Sequence, residues 1–130
     1  MEIETALINK LLATTAVTDL VGKKIHYAGD TPKNTTKPYI VIQKISAQRL
    51  HAHDGPCGLV NSRIQFSCFA STYLGAKAVC VAIQVALDGS KGVLSGVNVG
   101  SCLYDNETDL YDQDYQVCGV EADYMVSYNE

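Results

Sequence analysis

Apolar side chains at helical spacing predict a helix near the start of the 130-residue chain. Ile3, Leu7 and Leu11 lie four residues apart, which places them on one face of a helix over residues 3–13. The residues that follow, 17–21, predict a short turn. This first helix therefore has one apolar face to bury.

The segment 73–88 predicts a second helix, with Ser71 and Thr72 as candidate N-caps and Gly89 at its end. One apolar stripe suits a core-facing helix and consists of Ala76, Val79, Cys80, Ile83 and Leu87. A stripe on another face, here named the outer stripe, consists of Leu74, Ala78, Val81 and Val85. A helix that is apolar almost all round is buried on more than one side. We therefore predict that the outer stripe forms an interface between subunits.

β-branched and alternating segments predict four to five strands. They lie at residues 24–27, 39–45, 61–68, 93–104 and 115–128. Together with the helices, this order predicts an α+β fold, in which a four- to five-stranded, mostly antiparallel sheet carries two helices packed on one face. No repeat or linker interrupts the pattern, so the sequence predicts a single domain over residues 1–130.

Composition excludes several classes of protein. Apolar residues make up 47% and charged residues 18%, which excludes general intrinsic disorder. The net charge of −4 gives no electrostatic basis for general nucleic-acid binding. No apolar run approaches the ~20 residues that span a bilayer, and Glu2 and Glu4 do not suit a secretory signal, so we expect no membrane partner.

The five cysteines show neither a C-x-x-C pair nor the spacing of a zinc site. Their number is odd, and nothing in the sequence points to an oxidising compartment. We expect them to be reduced thiols that are mostly buried and act as small apolar side chains.

The segment 47–58 predicts a polar loop that carries several metal-capable side chains, among them His51, His53 and Cys57. Structural zinc takes four ligands, and the spacing of the remaining candidate, His26, does not favour it. The sequence therefore predicts no metal site. A small monomeric module that binds a ligand or metal through this loop stays open as the alternative function.

Carboxylates are concentrated in the segment 105–114, whose start resembles a calcium-binding loop. Leu110 stands where such a loop needs glycine, and Gln116 stands where a bidentate glutamate should close the site. We predict an acidic, mobile connection between two strands. Signatures of enzymes, such as the G-x-S-x-G elbow and the phosphate-binding loop, are missing, so we expect neither catalysis nor a cofactor.

The chain resembles the tail-completion family, the tail-terminator or head–tail joining proteins of long-tailed bacteriophages and prophages. Matching segments occur in the family's order at residues 20–27, 37–44, 62–70, 72–73, 87–89 and the strand that ends near Tyr128. The chain departs from the family pattern in its acidic segment and in its cysteines. The resemblance implies a single tail-terminator-like domain without enzymatic activity.

The resemblance also implies partners and a location. Copies would form a ring, usually a hexamer, at the head–tail junction of a virion assembled in the bacterial cytoplasm. The ring would contact the tail tube protein and a head–tail connector or stopper protein, and genome DNA would pass through it without specific binding. Docking to the tube or connector is expected at Arg49, His51, His53, Asp54, Arg63 and Gln65. Charge facing the lumen is expected from Asp105, Glu107, Asp109, Asp112 and Asp114.

Overall fold

The computed structural model describes residues 2–29, 36, 38–52, 55–112 and 117–129. The described residues form three helices, α1 (Ile3–Leu12), α2 (Thr15–Val21) and α3 (Tyr73–Leu87). The strands are β1 (Ile25–Tyr27), β2 (Tyr39–Ala52), β3 (Gly55–Ala70), β4 (Gly92–Leu94), β5 (Val97–Asp112) and β6 (Val117–Asn129). They form one sheet in the order β1-β2-β3-β6-β5-β4. Only β1 is parallel to its neighbour, β2.

The α+β class and the mostly antiparallel sheet are as predicted, but the described residues form six strands and three helices. Residues 17–21 belong to α2, whose last turn ends at Gly22 with φ 63°. This positive φ closes the helix at a position where glycine carries little strain. The segment 93–104 divides into β4 and β5 because Ser95 and Gly96, both with positive φ, form a tight turn.

The prediction of a loop over residues 47–58 is wrong. In the described residues β2 and β3 continue as an antiparallel hairpin, with Ala47 opposite Ser62 and Ala52 opposite Gly55. The ladder is made by the backbone, so its strands need no apolar side chains once they leave the core. Leu59 is the first β3 residue that pairs with β6. The described β3 residues before it, 55–58, belong to a hairpin tip whose described ladder joins β2 and β3 alone. His53 and Asp54 lie outside the described residues.

The prediction of an acidic connection over residues 105–114 is also wrong for 105–112, which belong to β5 and pair with β6 along its length. Strand formation is compatible with this charge because the carboxylates meet cations on neighbouring elements, as described below. A bulge between Tyr104 and Asn106 shifts the register there. Asp114 lies outside the described residues.

The core lies between the helices and one face of the sheet, here named the helix face. Alternate residues of β3 and β6 point into it and are buried, including Ile64, Phe66 and Tyr124. The rings of Phe66, Tyr124 and Tyr104 stack edge to face at centroid distances of 5.5 Å. The opposite side of the sheet, here named the polar face, carries no described helix.

The described cysteines agree with the prediction of buried thiols. Those whose side chains are described are free and buried, namely Cys68, Cys80, Cys102 and Cys118. Burial raises the pKa of Cys102 to about 12, and a hydrogen bond with Cys80 together with burial raises that of Cys68. These two thiols therefore stay protonated at neutral pH and act as apolar side chains.

Two buried tyrosines on β6 give a matched test of this core. Tyr128 Oη accepts a hydrogen bond from the buried Ser62 Oγ at 3.3 Å, whereas Tyr124 Oη is buried without a hydrogen-bond partner among the described residues. Tyr128→Phe should lower the free energy of unfolding by about 1–2 kcal/mol, because it leaves the Ser62 hydroxyl unpaired. Tyr124→Phe should leave it unchanged or raise it. Urea denaturation measures both, and equal losses would contradict the assignment.

Candidate functional site

The outer stripe of α3 is exposed, although it is apolar. Leu74 is 78% exposed, Val85 74% and Val81 55%, and Ala78 is exposed as well. The core-facing stripe of the same helix is buried as predicted. The Thr72 side chain caps the helix by accepting from the Gly75 backbone N–H at 3.0 Å. The helix α3 therefore exposes one apolar surface to water while its opposite side packs in the core.

Lys77 connects α3 to the acidic part of β5. Its Nζ lies 2.8 Å from Glu107 Oε1 and 3.3 Å from Asp109 Oδ1. The Tyr73 hydroxyl donates to Asp109 Oδ2 at 2.9 Å, and Lys77 also lies over the Tyr73 ring. The hydrogen bond from Lys77 lowers the pKa of Glu107, and the same bond raises the pKa of Lys77.

The predicted lumen carboxylates are divided between the two faces of the sheet. Glu107 and Asp109 lie on the helix face, whereas Asp105 Oδ2 is 2.8 Å from the Arg63 guanidinium on the polar face. Arg63 also lies 3.3 Å from Asp123 Oδ2. In a ring, carboxylates on opposite faces of one sheet cannot all line the same channel.

The polar face brings Arg63 and Gln65 of β3 next to carboxylates of β6. The Gln65 amide donates to Glu121 Oε2 at 3.1 Å. In the described part of this network, Asp105 and Asp123 lie against Arg63 and Glu121 lies against Gln65, so three carboxylates accompany one arginine and the network carries net negative charge. These two docking candidates therefore belong to a hydrogen-bonded network of the sheet.

Arg49 and His51, the other described docking candidates, lie on β2 near the tip of the hairpin. The Arg49 side chain is exposed and lines a pocket of 310 Å³ together with Glu2, Lys44 and Tyr128. Lys44 Nζ lies 3.3 Å from Glu4 Oε1. Sequence reasoning missed this pocket, because its walls come from α1, β2, β5 and β6, which no local motif links.

The described residues contain no group of three or more His, Cys, Asp or Glu side chains that could hold a metal ion. No helix in this part of the chain combines the length and the apolar character needed to cross a membrane.

Comparison with known proteins gives both a family and a fold. The family model described as "Tail completion protein gp17" matches residues 5–129. No match was found among curated proteins. A chain in the solved structure described as "Virion of native gene transfer agent (GTA) particle" superposes with a TM-score of 0.83 at 15% sequence identity. The match covers 98% of this chain and 95% of that chain, and at this identity it shows the fold alone.

The Lys77 network predicts a pH dependence of stability. The folded-state pKa of Glu107 lies below its ordinary value of 4.5, so the contribution of this group is present above pH 4.5 and is lost as the pH falls through the folded-state value. Lys77→Met should lower the free energy of unfolding at pH 7. The difference in this free energy between the variant and the wild type should become smaller below pH 4.5. The exposed Lys91, with no ion pair among the described residues, supplies the control Lys91→Met. Denaturation across pH 3–7 measures both, and a constant gap for Lys77→Met would contradict the role of Glu107.

Proposed function

Because the chain belongs to the tail completion family described as gp17, we propose that its copies form a closed ring that ends the tail tube and joins it to the head. Membership of this family and the likeness to a chain of a virion particle support a structural role in a phage-like virion. The same findings support a non-enzymatic protein. Its proposed partners are the tail tube protein, a connector or stopper protein, and further copies of itself, six to a ring by the family resemblance.

The observation that carries the proposal is the exposure of the outer stripe. Burying a Leu or Val side chain contributes about 1.5–3 kcal/mol, so covering this surface would favour association. A contact between different patches of two identical subunits gives a ring when the rotation closes and a filament when it does not. A tail end with a defined stoichiometry requires the closed form.

We assign contact with the tail tube to the tip of the β2–β3 hairpin, here named the hairpin arm, residues 50–52 and 55–58 of the described chain. This arm extends past the pairing with β6, so it projects from the sheet on a stiff two-stranded base. Exposed segments on a rigid scaffold commonly carry binding function. Arg49, at the base of the arm, is suited to a charge-assisted contact with the tube.

The channel for DNA is assigned to the polar face rather than to the whole acidic segment. Among the described residues of this face, Asp105, Asp123 and Glu121 outnumber the cation Arg63, so a ring that turned the face inward would repel the phosphate backbone. Glu107 and Asp109 serve instead to attach α3 to β5. This arrangement suits passage of the genome without specific binding.

Val81→Glu should abolish the ring and leave a folded monomer, because it places a charge in the apolar contact while the side chain is already half exposed in the subunit. Val93→Glu is the matched control, since Val93 is 72% exposed on the short strand β4, away from the outer stripe. Light scattering after size exclusion gives the mass, and circular dichroism checks the fold. A ring of unchanged mass in Val81→Glu would remove the outer stripe from the interface.

Replacing residues 50–59 with a short Asn-Gly turn that rejoins Arg49 to Val60 should leave the ring intact but disturb tail completion. These two residues lie opposite each other, so the shortened ladder keeps its register. In a phage that lacks its own copy, the variant should give tails of irregular length or tails that do not join heads. Electron microscopy of the lysate measures both. Normal tails and infectious particles would move the tube contact to Arg63 and Gln65 on the polar face.

A further inference from the structure

Beyond β1, the far side of β2 is an open edge in the described chain. β1 pairs with Ile40–Ile42, and the bonds from Ile40 N to Lys24 O and from Ala28 N to Ile42 O, both 2.9 Å, complete that contact. Past this point β2 continues for ten residues, and its described ladder lies entirely on the β3 side.

The far side of β5, at the other end of the sheet, is open in the same way. β4 pairs only with Val97–Val99. Gly89 N donates to Cys102 O at 2.7 Å, and Tyr104 N donates to Asp88 Oδ1 at 3.0 Å, so the segment after α3 occupies the next positions. From Asn106 to Asp112, no described strand pairs with the far side of β5.

The ladders show which backbone groups these edges present. In antiparallel pairs, consecutive residues direct their N–H and C=O groups alternately to the two sides of the strand. On β2, the backbone N–H and C=O groups of Ile40 and Ile42 point away from β3. When the bulge after Lys44 is allowed for, the next residues whose backbone groups point away from β3 are Ala47 and Arg49.

On β5 the same alternation starts from Tyr104, whose N–H points outward. The β3–β6 ladder between the two edges has no register shift, so the alternation passes through it unbroken. After the bulge at Asp105, the residues whose backbone groups point away from β6 are Glu107 and Asp109, which lie opposite Ala122 and Val120.

We propose that subunits join by strand addition, with the β5 edge of one copy pairing with the β2 edge of the next. This inference rests on the proposed ring and names its contact. The two edges lie on opposite sides of one sheet, so each copy offers one of each and the contact is head to tail. In strand addition, backbone groups on the outer side of one edge pair with those on the outer side of the other.

Charge favours this pairing over one between two β5 edges. The open part of β2 over residues 43–50 carries Lys44 and Arg49 and no carboxylate, whereas residues 106–112 of β5 carry three carboxylates and no cation. Charged edges discourage pairing between like edges. Lys44 is already paired with Glu4 of α1, so the cations of β2 do not by themselves keep two β2 edges apart. Two β5 edges repel, whereas the open part of β2 offers no carboxylate that would repel a β5 edge. Lys77 is one cation against Glu107 and Asp109 and leaves the β5 edge net negative.

The direction of the new pair follows from the topology. β2 is antiparallel to β3, β3 to β6, and β6 to β5, so β2 and β5 run in opposite directions within one subunit. Rotation about a ring axis preserves the direction of each strand along that axis. The pair between neighbouring copies is therefore antiparallel, and the sheet continues around the ring without a parallel junction.

The outer stripe adjoins the same edge. Lys77 reaches from α3 to Glu107 and Asp109, and Val81 follows Lys77 by one helical turn on the same side of the helix. A neighbour that paired with β5 would also lie beside the outer stripe. Backbone pairing and apolar burial thus belong to one continuous contact.

A register that places Arg49 opposite Glu107 and Ala47 opposite Asp109 also places Gln48 opposite Thr108. This last pair is non-hydrogen-bonded in the new ladder, with a Cα separation of about 4.5 Å, which lies within the range that a disulfide spans. Gln48 and Thr108 are exposed and pair with polar-face residues of β3 and β6. They can therefore be replaced by cysteine without altering the core.

The test uses the full chain with Cys57→Ser, which leaves only the four buried native thiols. Gln48→Cys and Thr108→Cys are made in separate proteins, mixed under conditions of subunit exchange and oxidised with copper phenanthroline. The mixture should give one disulfide-linked heterodimer on a non-reducing gel, while each protein alone should give none. A chain with both substitutions should give a ladder up to the full ring. The control mixture of Ser67→Cys, on the inner strand β3, with Thr108→Cys should stay monomeric on the gel.

The mass of each sample before oxidation separates this inference from the proposed function. Ser46→Cys is also tested in place of Gln48→Cys, to allow for a register shifted by two residues. Rings that give no heterodimer with either variant would overturn strand addition but leave the proposed ring intact. Homodimers of either single variant would show like-to-like edges and also overturn it. Protein that stays monomeric at every concentration, with tube protein added, would contradict both.

Discussion

A sheet of four long strands with helices on only one of its faces is the constraint on which the rest of the structure depends. The short chain supplies α1 and α3 for the helix face, and Phe66 and Tyr124 fill the space beneath them. The other face must therefore be acceptable to water, which explains the ion pairs and hydrogen bonds of Arg63 and Gln65. The edges of such a sheet stay open wherever a short flanking strand ends.

α3 has two roles that its sequence reflects. Its buried side closes the core, and its outer stripe remains in water, a combination that an isolated subunit gains nothing from. Lys77 separates the two surfaces and holds the helix to β5 through Glu107 and Asp109. The acidic residues of β5 thus fix the position of the helix and also set the charge of the neighbouring edge.

The sequence predicted the α+β class, α1, α3 and the buried cysteines, because each depends on local periodicity or on residue type. It did not predict the full length of β2, β3 and β5. Residues 47–52 and 105–112 lack large apolar side chains at alternate positions, and their strand structure comes from backbone pairing with β3 and β6. The division of Asp105 from Glu107 between two faces depends on a single bulge, for which the sequence carries no distinct signal. The outer stripe, by contrast, was visible at once, because its excess of apolar residues breaks the usual pattern of a surface helix.

In the proposed assembly, copies of this chain form a closed ring through surfaces that a single subunit leaves open. Negative-stain electron microscopy of the purified protein, with tube protein added, tests it most directly. The account predicts rings of one diameter with a central opening. Isolated monomers at every concentration, or open filaments of variable length, would contradict it.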